Sequence, residues 1–259
     1  MIILLGLSCF RSEPIDRDTL VAGCEELAVG TLAQDHPAVD DGFDRCVLAL
    51  GVPSFALEGV SDESLLHVAI VTAEYLDNDE DGTADDPQLL DALLEARAVN
   101  FVLRDDGDEG RIARSSFART VEGQPTWETE MDASVEPWFD ATYEEVLHLI
   151  NASGHTRAYP DTFSLEGDSA LLTALDAADH FHYGDPTCDR ACKAIEYLYW
   201  ATTTNMGMQS DTQRCEVISI EWETCTPEQL AEQDPLMMAI LESEDYPYPS
   251  IAPDGTYAP

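Results

Sequence analysis

Residues whose types and spacing could do chemistry concentrate in two places. The first is Asp77-Asn78-Asp79-Glu80-Asp81-Gly82-Thr83-Ala84-Asp85-Asp86, in which six of ten residues are acidic. Carboxylates two apart in a tight turn can point the same way, so Asp77, Asp79 and Asp81 can converge on one hard cation. Ca²⁺ takes about six to eight oxygen ligands of this kind. Gly82 supplies the sharp turn such a loop needs. Without a counter-ion these acids repel one another, and the alternative is an acidic turn that holds nothing. The second place is Tyr143-Glu144-Glu145-Val146-Leu147-His148. On a helix Glu145 and His148 are three apart and share a face, where a carboxylate and an imidazole can hold a transition metal. Glu196, His155, His180 and His182 are further candidates for that site. The alternative is a helix face satisfied by solvent or by the core.

Both groups need helices to position them. Ser61-Asp62-Glu63-Ser64 has the form of a helix start with acids in the first turn. Leu65, Leu66, Ala69, Ile70 and Ala73 then recur at helical spacing. Pro87 opens a second helix carrying Leu89, Leu90, Leu93, Leu94 and Ala98. Further helices are predicted over 138–151, 169–181, 193–206 and 227–242, with short helical runs over 24–58 and a small β-hairpin within 101–135. The last residues, rich in Pro and Tyr, read as an extended segment packed over the surface. The sum is a mainly α fold: 1–8 an apolar signal-like segment, 9–22 a tether, and 23–259 a single helical domain with irregular connections. One helix-loop-helix, 64–100, carries the acidic loop.

With a helix on each side, Asp77 to Gln88 resembles an EF-hand loop, and also the shorter calcium loops of thrombospondin type 3 repeats. The resemblance implies that Thr83 offers its backbone carbonyl and that Asp85 binds directly or through water. Gln88 stands where the EF-hand has a bidentate Glu, and Asp86 or Asp91 is the available substitute. Loss of that ligand moves the expected affinity towards about 0.1–1 mM. Glu144 to His148 resembles a degenerate zincin helix. That resemblance implies Glu144 in place of the first His ligand, Glu145 as catalytic base, His148 as second ligand and Glu196 as third. A bound Zn²⁺ or other transition metal would then activate a water.

The chain has seven cysteines. Six formally allow fifteen connectivities, and proximity selects Cys24–Cys46, Cys188–Cys192 and Cys215–Cys225. The seventh, Cys9, ends the run Met1 to Cys9, where Gly6-Leu7-Ser8-Cys9 resembles the lipobox of bacterial lipoproteins. That resemblance implies acylation at Cys9, a signal peptide, and an outer-membrane or cell-surface location; failing it, a periplasmic or extracellular one. Paired cysteines fit the same oxidising compartments.

Composition bounds the partners. The 259 residues hold 52 acids against 12 basic residues, a formal charge of −40, and the single lysine is Lys193. Such a surface repels phosphate backbones, which excludes nucleic acid, and disfavours anionic membranes except through a lipid anchor. Metal cations are the natural partners. The expected function is therefore that of an exported, acidic calcium-binding surface lipoprotein with Ca²⁺ in a structural or sensing role; its rival is a zincin-like metal-dependent hydrolase using Glu145, His148 and Glu196.

Overall fold

The computed structural model describes residues 14–132 and 139–259. Cys9 and the signal-like segment lie outside them. The chain divides into two compact units: the described residues up to Gly154 together with Pro253–Pro259, and His155–Ala252.

The first unit is built on a six-stranded mixed sheet, which corrects the expectation of a mainly α, single helical domain with at most a small β-hairpin. After α1 (Arg17–Leu20), whose Leu20 is fully buried, come β1 (Glu25–Glu26), β2 (Gly30–Thr31), β3 (Phe43–Ala49) and β4 (Val52–Leu57). These strands occupy the stretch expected to hold short helical runs. Next come α2 (Asp62–Leu76), α3 (Pro87–Ala96), β5 (Ala98–Leu103), α4 (Glu109–Arg114), β6 (Glu122–Trp127) and α5 (Thr142–Leu149). The strand order is β1-β3-β4-β5-β6, with β2 also pairing with β3. The hairpin is β3–β4, whereas β5 and β6 pair in parallel, so among the described residues of 101–135 the expected hairpin does not form. Parallel neighbours need a crossover; α2, the acidic loop and α3 connect β4 to β5, and α4 lies between β5 and β6.

Burial explains why these strands are hard to see in the sequence. Every residue of β4 and β5 is buried, as in a central strand covered on both faces, which loses its polar alternation. On one face Phe43, Phe55, Phe101 and Phe117 form a cluster with ring centroids 5.1–6.2 Å apart. Burying one such ring contributes about 1.5–3 kcal/mol. Gly123 makes room for it, because a Cβ there would stand 2.1 Å from Phe101 Cε2. The other face carries Ser54, Asn100 and Gln124 in register across β4, β5 and β6. Asn100 Nδ2 donates to Ser54 Oγ (3.2 Å) and to Thr72 Oγ1 of α2 (3.1 Å). Helices α2 and α5 pack over the sheet. His67 of α2 pairs with Asp140 (Nε2 to Oδ2, 2.6 Å), and Asp140 Oδ1 accepts from the Thr142 amide (2.8 Å), which fixes the start of α5.

The second unit is helical: α6 (Thr156–Ala158), α7 (Pro160–Phe163), α8 (Ala170–Ala177), α9 (Arg190–Asn205), α10 (Thr212–Ile218), α11 (Pro227–Gln233) and α12 (Pro235–Leu241). Helix α9 is its axis, buried without a break from Ala194 to Thr204 and packed by α8 and α11. Asp189 caps it by accepting from the Cys192 amide at 3.0 Å. All three expected disulfides form: Cys24–Cys46 in the sheet unit, Cys188–Cys192 and Cys215–Cys225 in the helical one. Disulfides persist in oxidising compartments.

Candidate metal centre

The acidic loop leaves α2 at Asp77. Ser61 caps the start of α2, its Oγ accepting from the Ser64 amide at 3.0 Å. Asp86 caps the start of α3, its Oδ1 accepting from the amides of Gln88 (3.0 Å) and Leu89 (3.1 Å). The loop is thus held between two capped helices, at the flanks expected from the sequence. Capping engages Asp86 Oδ1 with α3.

Asp77, Asp79 and Asp85 each offer a carboxylate oxygen, and these oxygens lie within 4.8 Å of one another. Oxygens on opposite sides of a Ca²⁺ are about 4.6–5.2 Å apart, twice the usual bond length, so the three fit around one ion. Asp81 is outside this trio; instead its amide donates to Asp77 Oδ1 (3.1 Å). Thr83 is exposed in the same turn. Asp77 is fully buried and takes a second loop bond, from the Gly82 amide to Oδ2 at 2.8 Å. Gly82 has φ +88, the left-handed conformation glycine adopts without strain. Asp85 Oδ2 accepts from the Asn78 amide (2.8 Å). Burial pushes the Asp85 carboxyl above its ordinary range. The Asn78 amide opposes that shift, and the charges of Asp79, Asp77 and Asp81 add to it.

The last residues of the chain run over this loop, a part of the site the sequence did not reveal. Glu74, buried near the end of α2, accepts from the amides of Asp254 (2.9 Å), Gly255 (3.0 Å) and Thr256 (3.3 Å). The Tyr257 hydroxyl donates to Asp77 Oδ2, and the Ala258 amide donates to Glu80 Oε2 at 3.3 Å. Tyr257 and Gly82 therefore hold the same oxygen of Asp77. Burial and the bond to Asp77 raise the Tyr257 phenol. No local sequence signal joins residues about 180 positions apart.

The second group lies partly in each unit. In the sheet unit, Glu145 and His148 are buried on α5, with Glu144 beside them. Gln124 Nε2 donates to Glu145 Oε2 at 2.5 Å, and His148 Nδ1 lies 3.4 Å from that same oxygen. In the helical unit, Glu196 is buried on α9 and accepts from the Tyr183 hydroxyl at 3.0 Å. His155 is fully buried, stacked on Tyr248 at 4.9 Å, and burial pushes its pKa down to about 3. His180 Nε2 lies 3.2 Å from Asp234 Oδ2, an oxygen that also accepts from the Tyr197 hydroxyl. His182 is exposed and meets Glu223 at 2.8 Å. These three histidines have partners within their own unit.

No protein-family model matches the chain, and neither does any curated protein or solved structure. Acidic and histidine groups able to hold a metal ion are present, and the oxygen-only trio at Asp77, Asp79 and Asp85 is one of them.

Proposed function

We propose that this is an exported calcium-binding protein in which one Ca²⁺ ties the end of α2 to the loop that leads into α3. The observation that carries the reading is the convergence of three carboxylates from Asp77, Asp79 and Asp85 to within 4.8 Å. An all-oxygen set suits a hard cation, and the formal charge of −40 raises its local concentration. The ion's role is structural: it neutralises like charges that the loop otherwise holds together at a cost. The three disulfides support export. Acylation at Cys9 would place the protein on a membrane surface, and two acyl chains give stable anchoring where one is marginal. Calorimetric titration of chelator-treated protein with Ca²⁺ tests the reading. One equivalent should bind, and the melting temperature should rise with it. An absence of heat and of any shift at 10 mM Ca²⁺ would end it.

A second reading, metal-dependent hydrolysis, draws support from the buried Glu145–His148 pair and the Gln124 amide that holds its carboxylate. Elemental analysis of the purified protein separates the two. A stoichiometric transition metal that is lost in His148→Ala favours hydrolysis; calcium alone favours the first reading.

A further inference from the structure

The helical unit contains a cavity of about 760 Å³, within the range of small-molecule sites. One wall is apolar: Leu175, Ala178 and Phe181, with the Phe181 and Tyr183 rings close to parallel, 6.1 Å apart at 21°. The start of α9, bearing Arg190 and Lys193, also lines the cavity. We propose that this cavity binds a small aromatic carboxylate, its anionic group on Lys193 and its ring against Phe181 and Tyr183.

The charges around the cavity are what select an anion. Two acids line it, and both are already engaged. Asp176 faces Arg190, with Nη2 to Oδ2 at 2.6 Å. Asp189 spends Oδ1 on the cap of α9. Lys193 is half-buried, and among the described residues it takes part in no ion pair. It is the only lysine in a chain with 52 acids. Its position is also a disfavoured one for a cation. The start of a helix carries partial positive charge, so cations there cost about 0.3–1 kcal/mol and acids are preferred. The first turn of α9 contains no acid and begins with Arg190. Asp189 already caps this end of α9, and a carboxylate bound beside it would meet the unpaired ammonium of Lys193. The overall negative charge does not forbid it, because at physiological salt interactions beyond about 8 Å are screened.

The aromatic half follows from a wall that is already organised. The Tyr183 hydroxyl is fixed on Glu196, which sets the angle of the ring. Phe181 is held from behind by Tyr197 and Trp222, at 5.6 and 6.3 Å. Cys188–Cys192 ties the rim of the cavity to α9. A ring entering this space would pay little to order its surroundings, which is where preorganised sites gain affinity.

A single lysine makes the test direct. Reductive methylation with ¹³C-formaldehyde keeps the charge and places one side-chain reporter at Lys193, told apart from the N-terminal amine by its loss in Lys193→Gln. Titration with benzoate should move that signal saturably, with a midpoint in the low millimolar range or tighter. Benzyl alcohol, which has the ring without the charge, and acetate, which has the charge without the ring, should each be at least tenfold weaker. Calorimetry with benzoate should lose its signal in Lys193→Gln and weaken about fivefold in Phe181→Ala. If Phe181→Ala does not fold, Lys193→Gln still decides. A linear, unsaturated drift with benzoate, an equal response to acetate, or undiminished heat in Lys193→Gln would each overturn the proposal.

Discussion

Asp77 combines three roles that usually fall to separate residues. It ends α2, accepts two loop amides, and offers an oxygen to the carboxylate trio while fully buried. Asp77→Asn keeps the shape and removes the charge. It should lower Ca²⁺ affinity at least tenfold, about 1.4 kcal/mol, in a calorimetric titration; an unchanged constant would move the ion elsewhere. Tyr257 acts on the same carboxylate from outside, sharing Oδ2 with Gly82. Groups that orient a ligand typically matter about tenfold or more, so Tyr257→Phe should weaken Ca²⁺ binding several-fold with little change in the apo melting temperature. Loss of apo stability without loss of affinity would reduce Tyr257 to packing. His155 gives a different kind of prediction. Burial depresses its pKa from 6.5 to about 3, so below pH 6.5 the unfolded chain takes up a proton that the folded one refuses. Stability from neutral His155 is therefore present above pH 6.5 and lost as the pH falls towards 3. Between pH 7 and 5 the loss is about 2 kcal/mol by linkage. Urea unfolding of the protein and of His155→Phe at both pH values should show the wild type losing about that much more; parallel losses would show that His155 titrates normally.

At the scale of elements, what could be read depended on how local the determining contacts are. The acidic loop was legible because its chemistry lies within ten residues and its helices begin at local caps, Ser61 and Pro87 after Asp86. The disulfides were legible because each joins cysteines consecutive among the paired six, 22, 4 and 10 residues apart. The sheet was not. In β4, Val-Pro-Ser-Phe-Ala-Leu, and β5, Ala-Val-Asn-Phe-Val-Leu, both faces are covered, so no period of two survives. In β6, Glu-Gly-Gln-Pro-Thr-Trp, Gly and Pro argue against a strand. Yet Pro125 is tolerated at the edge of the sheet, beside β5 alone among the described strands, and Gly123 is required by the Phe101 ring. That requirement is testable. With the nearest ring atom 2.1 Å from an added Cβ, Gly123→Ala must displace Phe101 and disturb the aromatic cluster. Overpacking of this kind costs about 1–3 kcal/mol, read as a lower urea midpoint at constant slope. Gly184→Ala, where a Cβ meets nothing, is the control. Equal midpoints for the two would mean that the ring yields freely.

For the molecule as a whole, charge is the dominant unfavourable term that the contacts do not reveal. Against 52 acids the chain sets 12 basic residues, and several of these are already engaged in local pairs such as Arg104–Asp108 and Arg190–Asp176. Exposed pairs of this kind are worth about 0–1 kcal/mol each, too little to offset a net charge of −40. Self-repulsion therefore acts on the compact state and falls as salt shortens the Debye length, from about 30 Å at 0.01 M to about 3 Å at 1 M. A Ca²⁺ bound in the loop would neutralise only two of these charges, so the effect should persist when the proposed site is full. The melting temperature at saturating Ca²⁺ should rise with NaCl over that range, and should rise equally with KCl, because screening depends on ionic strength and not on the identity of the cation. A profile flat in both salts would show that the acids are spaced widely enough to ignore one another, and a rise with only one cation would point to specific binding in place of screening.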